Sequence, residues 1–141
     1  MTEHAKFCVT ADVFVIRNGK LLLGKRKNTF GEGFWGLPGG HLEFKETFAQ
    51  GAARELQEET GMSARDFQFI VLYNNNSREE HYIHVGMLAL DPEGEPRVCE
   101  PDKCEEWRWF DLTSMPRNEI LWVHLPQIDA FLAQQNFIDH S

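Results

Sequence analysis

The stretch that decides the fold is residues 40 to 62, GHLEFKETFAQGAARELQEETGM. Side chains three and four positions apart lie on one face of an α-helix, so Glu55, Glu58 and Glu59 are predicted to fall within an arc of about 100°. Like charges at that spacing destabilise an exposed helix. A hard divalent cation reverses this repulsion, because carboxylate oxygens are the ligands that Mg²⁺ and Mn²⁺ prefer. The pattern therefore predicts a metal-binding helix face.

Signals for both ends of this helix lie in the same stretch. Thr47 is predicted as the N-cap, and Gly61 stands where a left-handed residue is expected after the last turn. Gly51 is unusual, because glycine inside a helix costs roughly 1 kcal/mol relative to alanine. It falls on the acidic face one turn before Glu55, so we interpret it as clearance for a loop or a ligand. Directly upstream, residues 35 to 40 (WGLPGG) bring paired glycines whose bare backbone can approach a ligand closely.

This combination resembles the signature motif of the Nudix hydrolases. The motif is matched by Gly40, five residues, Glu46, seven residues, and then residues 54 to 62 (RELQEETGM). The resemblance implies hydrolysis of a nucleoside diphosphate linked to another moiety, with a divalent metal held mainly by the helix glutamates. A solvated acidic helix face is the alternative interpretation.

The resemblance also implies roles for individual residues. Candidate metal ligands are Glu55, Glu58, Glu59 and the carbonyl of Gly39. Arg54 and Glu46 are expected to orient this cluster through an ion pair. Glu58, Glu59 and Glu100 are the candidates for deprotonating or orienting the attacking water, with Mg²⁺ as the expected cofactor and Mn²⁺ as a substitute.

Composition limits the remaining function classes. With 141 residues, 42% of them hydrophobic, the chain is expected to form a single domain over residues 1–141. The net charge of −8 argues against a nucleic-acid polymer as the main partner. The sequence has no run of 18 apolar residues and no signal-peptide pattern at MTEHAKF, so we expect a cytoplasmic protein without a membrane partner. Its three cysteines are expected to be reduced thiols: Cys8, Cys99 and Cys104.

Apolar runs and turn signals predict a mixed order of strands and helices. A tight hairpin is expected at Asn18-Gly19, and a turn is expected over residues 91 to 96. Strands are expected over residues 8–17, 20–26, 67–73, 81–90 and 106–110, and a last helix over residues 125–135. This order predicts an α/β (α+β) fold in which a mixed sheet lies between helices. The Nudix resemblance implies the same α/β/α sandwich.

Basic and acidic side chains outside the motif are candidates for further contacts with the substrate and the metal. Lys25, Arg26 and Lys27 follow an apolar strand and are candidates for binding phosphates, with a solvated strand end as the alternative. Glu100 is the first candidate for a distal carboxylate that completes the metal site, and Glu105 is the second. Either acid is equally well explained as a surface residue.

The nucleobase must be held by stacking and by hydrogen bonds to its edge. Trp35, Leu121 and Trp122 are candidates for this contact, and burial in the core is the alternative for each aromatic. Four of the six histidines lie near candidate site segments: His41, His81, His84 and His124. Each one, taken alone, is more readily explained as structural than as catalytic.

The resemblance continues past the motif, through LLLGKRK, LPGGHLEF, EEHY, EPDKCEEW and LW. These stretches are most similar to the Nudix branch of nucleoside triphosphate diphosphatases that act on modified guanine nucleotides. In that branch, residues at the positions of Leu121 and Trp122 contact the base. The branch implies a nucleoside triphosphate substrate, release of the monophosphate and pyrophosphate, and a homodimer. The alternatives are a hydrolase of a nucleoside diphosphate sugar or ADP-ribose, and a Nudix-like ligand sensor without catalysis.

Overall fold

Two β-sheets and two α-helices make up the computed structural model, which describes residues 6–76 and 80–139. Helix α1 covers Phe48–Thr60, α2 covers Leu125–Leu132, and a short 3-10 turn covers Arg117–Glu119. In chain order the strands are β1 (Phe7–Phe14), β2 (Ile16–Arg17), β3 (Lys20–Arg26), β4 (Trp35–Gly36), β5 (Gly39–His41), β6 (Ser63–Asn75), β7 (His81–Glu93), β8 (Cys104–Asp111) and β9 (Phe137–Asp139). Within these described ranges, no helix is both long and apolar enough to cross a membrane.

The larger sheet is mixed, as predicted. Its strands are ordered β5-β1-β7-β6-β9, with β1 parallel to β7 and β6 parallel to β9. The other two pairings in it are antiparallel. In the smaller sheet, β3 pairs antiparallel with β2, β4 and β8. The division into two sheets and the short strands β4, β5 and β9 were not predicted.

Strand β1 feeds two hydrophobic cores because its successive side chains point to opposite faces of the sheet. Val13 packs in a core with Leu56 of α1, whereas Phe14 packs in a second core with Ile128 of α2. Burial on both faces explains why β1 reads as a continuous apolar run. The two helices therefore cover opposite faces of the larger sheet, which confirms the predicted α/β/α sandwich.

Both predicted ends of α1 are confirmed. The Thr47 hydroxyl accepts the Gln50 N–H at 3.0 Å, and the Gln50 side chain accepts the Thr47 N–H at 2.9 Å. This reciprocal pair is a capping box. Gly61 follows the last turn with φ of 76°, a left-handed conformation that glycine adopts without a steric penalty.

Gly51 provides clearance for a loop and not for a ligand. A Cβ added at this position would lie 2.7 Å from the Leu42 side chain and 3.2 Å from Glu46 Oε1. Both residues belong to the segment between β5 and α1. The missing side chain therefore lets that segment pack against the helix.

The second helix ends earlier than the sequence predicts. It stops at Leu132 instead of residue 135, because Gln134 adopts a left-handed conformation with φ of 58°. Glutamine has no special preference for that conformation, so the helix end carried no sequence signal. The chain then returns as β9 beside β6. Strand β7, in contrast, is longer than predicted: it ends at Glu93, within the residues where a turn was expected.

The capping box of α1 yields a first prediction. Thr47→Ala removes the hydroxyl that accepts the Gln50 N–H, so the free energy of unfolding is expected to fall by about 1 kcal/mol. Thr47→Ser is the matched control, because it keeps the hydroxyl and should retain most of the stability. Urea unfolding followed by circular dichroism measures both variants. Equal stability of Thr47→Ala and the wild type would contradict a stabilising role for the cap.

Candidate active site

A cavity of about 580 Å³ opens beside the C-terminal half of α1. Its lining includes all three predicted helix acids, Glu55, Glu58 and Glu59. From other parts of the chain it also includes predicted site residues: Arg26, Gly39, Glu100 and Leu121. The fold thus brings most of the sequence-predicted residues together around one cavity.

The paired glycines allow β5 to pass between β1 and the helix acids. Gly39 has φ of 156°, and a Cβ there would lie 2.4 Å from the carbonyl oxygen of Ala11. At Gly40, a Cβ would lie 2.6 Å from Glu55 Oε1. Only bare backbone fits at these two positions, so the acids stand directly against the main chain of β5.

Arg54 holds the acid cluster from one side, through the ion pair with Glu46 that the sequence predicted. Its Nε donates to Glu46 Oε2 at 2.7 Å and its Nη2 donates to Glu46 Oε1 at 3.1 Å, a bidentate arrangement. Its Nη1 donates to Glu55 Oε1 at 2.7 Å and more weakly to Glu58 Oε2 at 3.4 Å. The hydrogen bonds to Glu46 are the main reason why the pKa of Arg54 is raised. Arg54 therefore stays positively charged and holds these carboxylates in place.

Glu59 is the acid that Arg54 does not reach in these contacts. Burial is the main cause that raises the pKa of Glu59 well above its usual value, followed by the hydrogen bond and the charge of Glu55. The charge of Glu100 raises it further, whereas the Gly39 N–H, which donates to Glu59 Oε1 at 3.4 Å, lowers it. Three carboxyl groups are therefore crowded around one buried position.

The donor chemistry of this cluster fits a hard divalent cation. All of its candidate ligand atoms are oxygens, from the carboxylates and from the backbone carbonyl of Gly39. Across residues 6–76 and 80–139, no three His, Cys, Asp or Glu side chains are already arranged to ligate one ion. Glu58 explains this, because its half-exposed carboxylate is turned towards Arg54.

The two candidates for the distal carboxylate occupy different places. Glu100 lines the cavity, whereas Glu105 is outside the lining and pairs with Lys25 at 3.3 Å. The segment that carries Glu100 is docked on the end of α1. The Arg97 N–H donates to the Thr60 carbonyl at 2.9 Å, and the Cys99 N–H approaches the Glu59 carbonyl at 3.4 Å. These backbone contacts hold Glu100 near the helix acids.

Of the predicted basic residues, Lys27 does not line the cavity. Strand β3 ends at Arg26, and Lys27 is exposed, with its N–H donating to the Lys103 carbonyl at 2.9 Å. Lys25 and Arg26 do line the cavity, and the Arg26 Nε donates to the Phe30 carbonyl at 2.6 Å. Lys103 lines it as well and was missed, because no periodic pattern marks its turn.

Trp35 is not positioned to stack on a nucleobase, so that expectation is corrected. Its side chain is only 5% exposed and belongs to the second core, where it meets the Phe110 ring edge-on at 4.9 Å. Pairing of β4 with β3 turns this side chain inward. Its backbone matters instead, because the Trp35 carbonyl accepts the N–H of Leu121, which lines the cavity.

Trp122 lies at the edge of the site. Its ring is half-exposed and packs edge-on against Phe30 at 5.1 Å and Phe34 at 5.2 Å. Phe30 lines the cavity, whereas Trp122 is not a lining residue and contacts the Phe30 ring. The predicted contact between Trp122 and a base therefore needs a ligand that extends to this rim.

A buried polar network beside the cavity was missed as a unit. Asp12 Oδ2 accepts Gln127 Nε2–H at 2.8 Å and lies 3.0 Å from His84 Nδ1. Burial opposes ionisation of Asp12, yet its interactions with His124, His84 and Gln127 hold the pKa of the carboxyl well below its usual range. Burial lowers the pKa of His124 to about 4. The sequence signal was an aspartate within an apolar strand, since a buried charge requires partners.

The comparisons with known proteins agree with this geometry. The sequence profile of the NUDIX domain matches residues 6–131. The chain belongs to the Nudix family. Both the predicted resemblance and the mixed α+β fold are thereby confirmed, and the protein is a Nudix hydrolase by family.

Individual Nudix relatives differ in their named activities. The chain is 34% identical to the oxidized purine nucleoside triphosphate hydrolase of Danio rerio, over 92% of this chain and 86% of that protein. It is 32% identical to the ADP-ribose pyrophosphatase of Methanocaldococcus jannaschii, over 77% of this chain and 64% of that protein. The MutT NUDIX hydrolase of Burkholderia pseudomallei superposes with a TM-score of 0.80 at 30% identity, covering 88% of this chain and 97% of that one.

The crowded carboxyl groups give a second prediction. The pKa of Glu59 is higher in the folded Nudix domain than in the unfolded chain, so its stabilising contribution is present below pH about 4 and is lost as the pH rises through the folded pKa. In EDTA at pH 8, Glu59→Gln should therefore be more stable than the wild type, by an amount on the order of 1 kcal/mol. The difference should shrink as the pH falls towards 4.

Urea unfolding at several pH values measures this difference. Glu93→Gln is the matched control, because Glu93 is exposed at the end of β7 and should give no pH-dependent gain. A Glu59→Gln variant less stable than the wild type at pH 8 would contradict the crowding.

Proposed function

We propose that this Nudix hydrolase cleaves nucleoside triphosphates, including oxidised or otherwise modified ones, to the monophosphate and pyrophosphate. One observation carries the proposal: the carboxylates of Glu55, Glu58, Glu59 and Glu100 line the same cavity as Arg26 and as the two histidines of a buried polar network, His84 and His124. A triphosphate needs the first part, and a nucleobase needs the second. Similarity to a relative named for oxidized purine nucleoside triphosphates supports the choice of substrate.

In this proposal, each part of the cavity has one task. The ligands of Mg²⁺, or of Mn²⁺ as a substitute, are Glu55, Glu58, Glu59 and the Gly39 carbonyl. When bound, the cation neutralises charge that develops on the phosphate oxygens. Arg54 orients the carboxylates through its ion pairs, and Arg26 binds a phosphate.

The attacking water is oriented by a carboxylate that receives its proton: Glu58, Glu59 or Glu100. All three carboxylates line the cavity, where a general base must lie within hydrogen-bond reach of the water. Leu121 contributes apolar contact to the base, and Trp122 contributes contact at the rim.

A second candidate substrate class is ADP-ribose or a nucleoside diphosphate sugar. The relative named ADP-ribose pyrophosphatase favours it, at 32% identity. A non-catalytic ligand sensor is less well supported, because none of the motif glutamates is replaced. The homodimer, the cytoplasmic location and the single-domain organisation of residues 1–141 stay predictions.

The substrate proposal is tested with Mg²⁺ and a panel of canonical, oxidised and methylated nucleoside triphosphates, ADP-ribose and nucleoside diphosphate sugars. We expect pyrophosphate release from at least one triphosphate, with a higher kcat/KM than for any sugar conjugate. Glu58→Gln and Glu59→Gln should each lower kcat at least ~100-fold, because one ligand oxygen and one negative charge are lost together.

Matched controls separate a site effect from a general charge effect. Glu105→Gln should retain activity, since the Glu105 side chain is not part of the cavity lining, whereas Glu100→Gln should lose it. Full activity of both helix variants would contradict the catalytic proposal. Faster hydrolysis of ADP-ribose than of every triphosphate would favour the second substrate class, ADP-ribose or a nucleoside diphosphate sugar.

A further inference from the structure

Two histidines line the cavity, and their hydrogen-bond partners determine which ring nitrogen of each carries the proton. His84 and His124 both line the cavity, with ring centroids 6.3 Å apart and ring planes nearly perpendicular. The two residues are far apart in the sequence: His84 lies in β7, and His124 precedes α2. They come together because β1, β7 and α2 pack around Asp12.

His124 offers an N–H at Nε2. The Leu37 N–H donates to His124 Nδ1 at 2.9 Å, so Nδ1 must be the unprotonated nitrogen of a neutral ring. The remaining proton is therefore on Nε2. This nitrogen is 3.8 Å from Asp12 Oδ1, which is too long for a hydrogen bond. The donor is thus still available to a ligand.

His84 has the opposite polarity. Its Nδ1 lies 3.0 Å from Asp12 Oδ2 and 2.9 Å from the Thr10 hydroxyl. Asp12 Oδ2 accepts from Gln127 as well, so it acts as an acceptor, and a bare nitrogen facing it would be repelled. The proton is therefore on Nδ1, and Nε2 of the neutral ring is a hydrogen-bond acceptor.

The acceptor of His84 has no hydrogen-bond partner within residues 6–76 and 80–139. Its Nε2 is buried, and His84 as a whole is 4% exposed. Stacking at 5.4 Å on Tyr73 and 5.8 Å on Tyr82 fixes the ring. Buried polar atoms are nearly always paired, so an oriented and unpaired acceptor beside a cavity points to a ligand.

We propose that His84 and His124 read the hydrogen-bonding edge of the substrate's heterocyclic base, His84 Nε2 as acceptor and His124 Nε2–H as donor. Asp12 acts as a positioning residue, because it sets the tautomer of His84 without needing to touch the base. The ligand must present an N–H beside an acceptor, as the lactam edge of guanine or uracil does. This inference rests on the proposed function, since it assumes that the cavity binds a nucleotide.

Binding without turnover tests the inference. Isothermal titration in EDTA compares GMP with N1-methyl-GMP and UMP with N3-methyl-UMP, pairs in which methylation removes the edge N–H. We expect the wild type to bind at least one parent about 10-fold more tightly than its methylated partner, which corresponds to one buried hydrogen bond. His84→Phe keeps the ring but removes both nitrogens, so it should bind the parent and the methylated nucleotide equally.

His81→Phe is the matched control, because His81 lies on the same strand but outside the cavity lining. It should keep the wild-type discrimination. Undiminished discrimination in His84→Phe overturns the inference, and so does a wild type that binds none of the four nucleotides at millimolar concentration. Failure of the proposed hydrolysis is a separate result, since these titrations contain no metal and involve no bond cleavage.

A measurement on the wild type requires no substituted protein. Imidazole ¹⁵N spectra should show His84 protonated at Nδ1 and His124 protonated at Nε2, and the parent nucleotide should shift the His84 Nε2 resonance. A His84 ring protonated at Nε2 alone overturns the inference. An unshifted His84 Nε2 resonance in the saturated complex does the same.

Discussion

Repulsion among carboxyl groups at the end of α1 is the constraint on which the site depends. Glu59 lies beside Glu55 and Glu100, and its pKa is raised mainly by burial and then by the hydrogen bond and charge of Glu55 and the charge of Glu100. Arg54 offsets part of this charge, but its ion pairs reach Glu46, Glu55 and Glu58 and leave Glu59 aside. In the proposed function, a divalent cation bound at the cavity would offset the remaining imbalance and so lower the free energy of the folded protein.

The surrounding backbone is built around the same imbalance. Gly39 and Gly40 let β5 lie against the acids without a Cβ in between, and Gly51 lets the preceding segment close on the helix. The capping box begins α1 on the far side of the cluster, and the Arg97 segment docks on its end. These features fix the position of the backbone that carries the carboxylates before any ligand arrives.

Local signals predicted the parts of the molecule that are determined locally. Helical periodicity placed Glu55, Glu58 and Glu59 on one face, and capping chemistry gave both ends of α1. Tertiary packing decided the rest. Trp35 is a core residue because β4 pairs with β3. Lys27 lies outside the cavity lining, because β3 ends at Arg26 and Lys27 is the next residue. Likewise, the network of Asp12 with His84 and His124 joins three distant segments, so the aspartate in an apolar strand indicated a need for partners but not which residues they are.

The most direct test of the shared cation is paramagnetic relaxation in the isotope-labelled protein. Mn²⁺ at substoichiometric concentration should broaden the backbone amide resonances of Gly39, Gly40 and the last turn of α1 first, and excess Mg²⁺ should restore them. Resonances of α2, which covers the opposite face of the larger sheet, and of β9, which is the edge strand farthest from β5, should stay sharp throughout. Uniform broadening across the protein, or none near Gly39 and Glu59, would contradict a cation held by the gathered carboxylates.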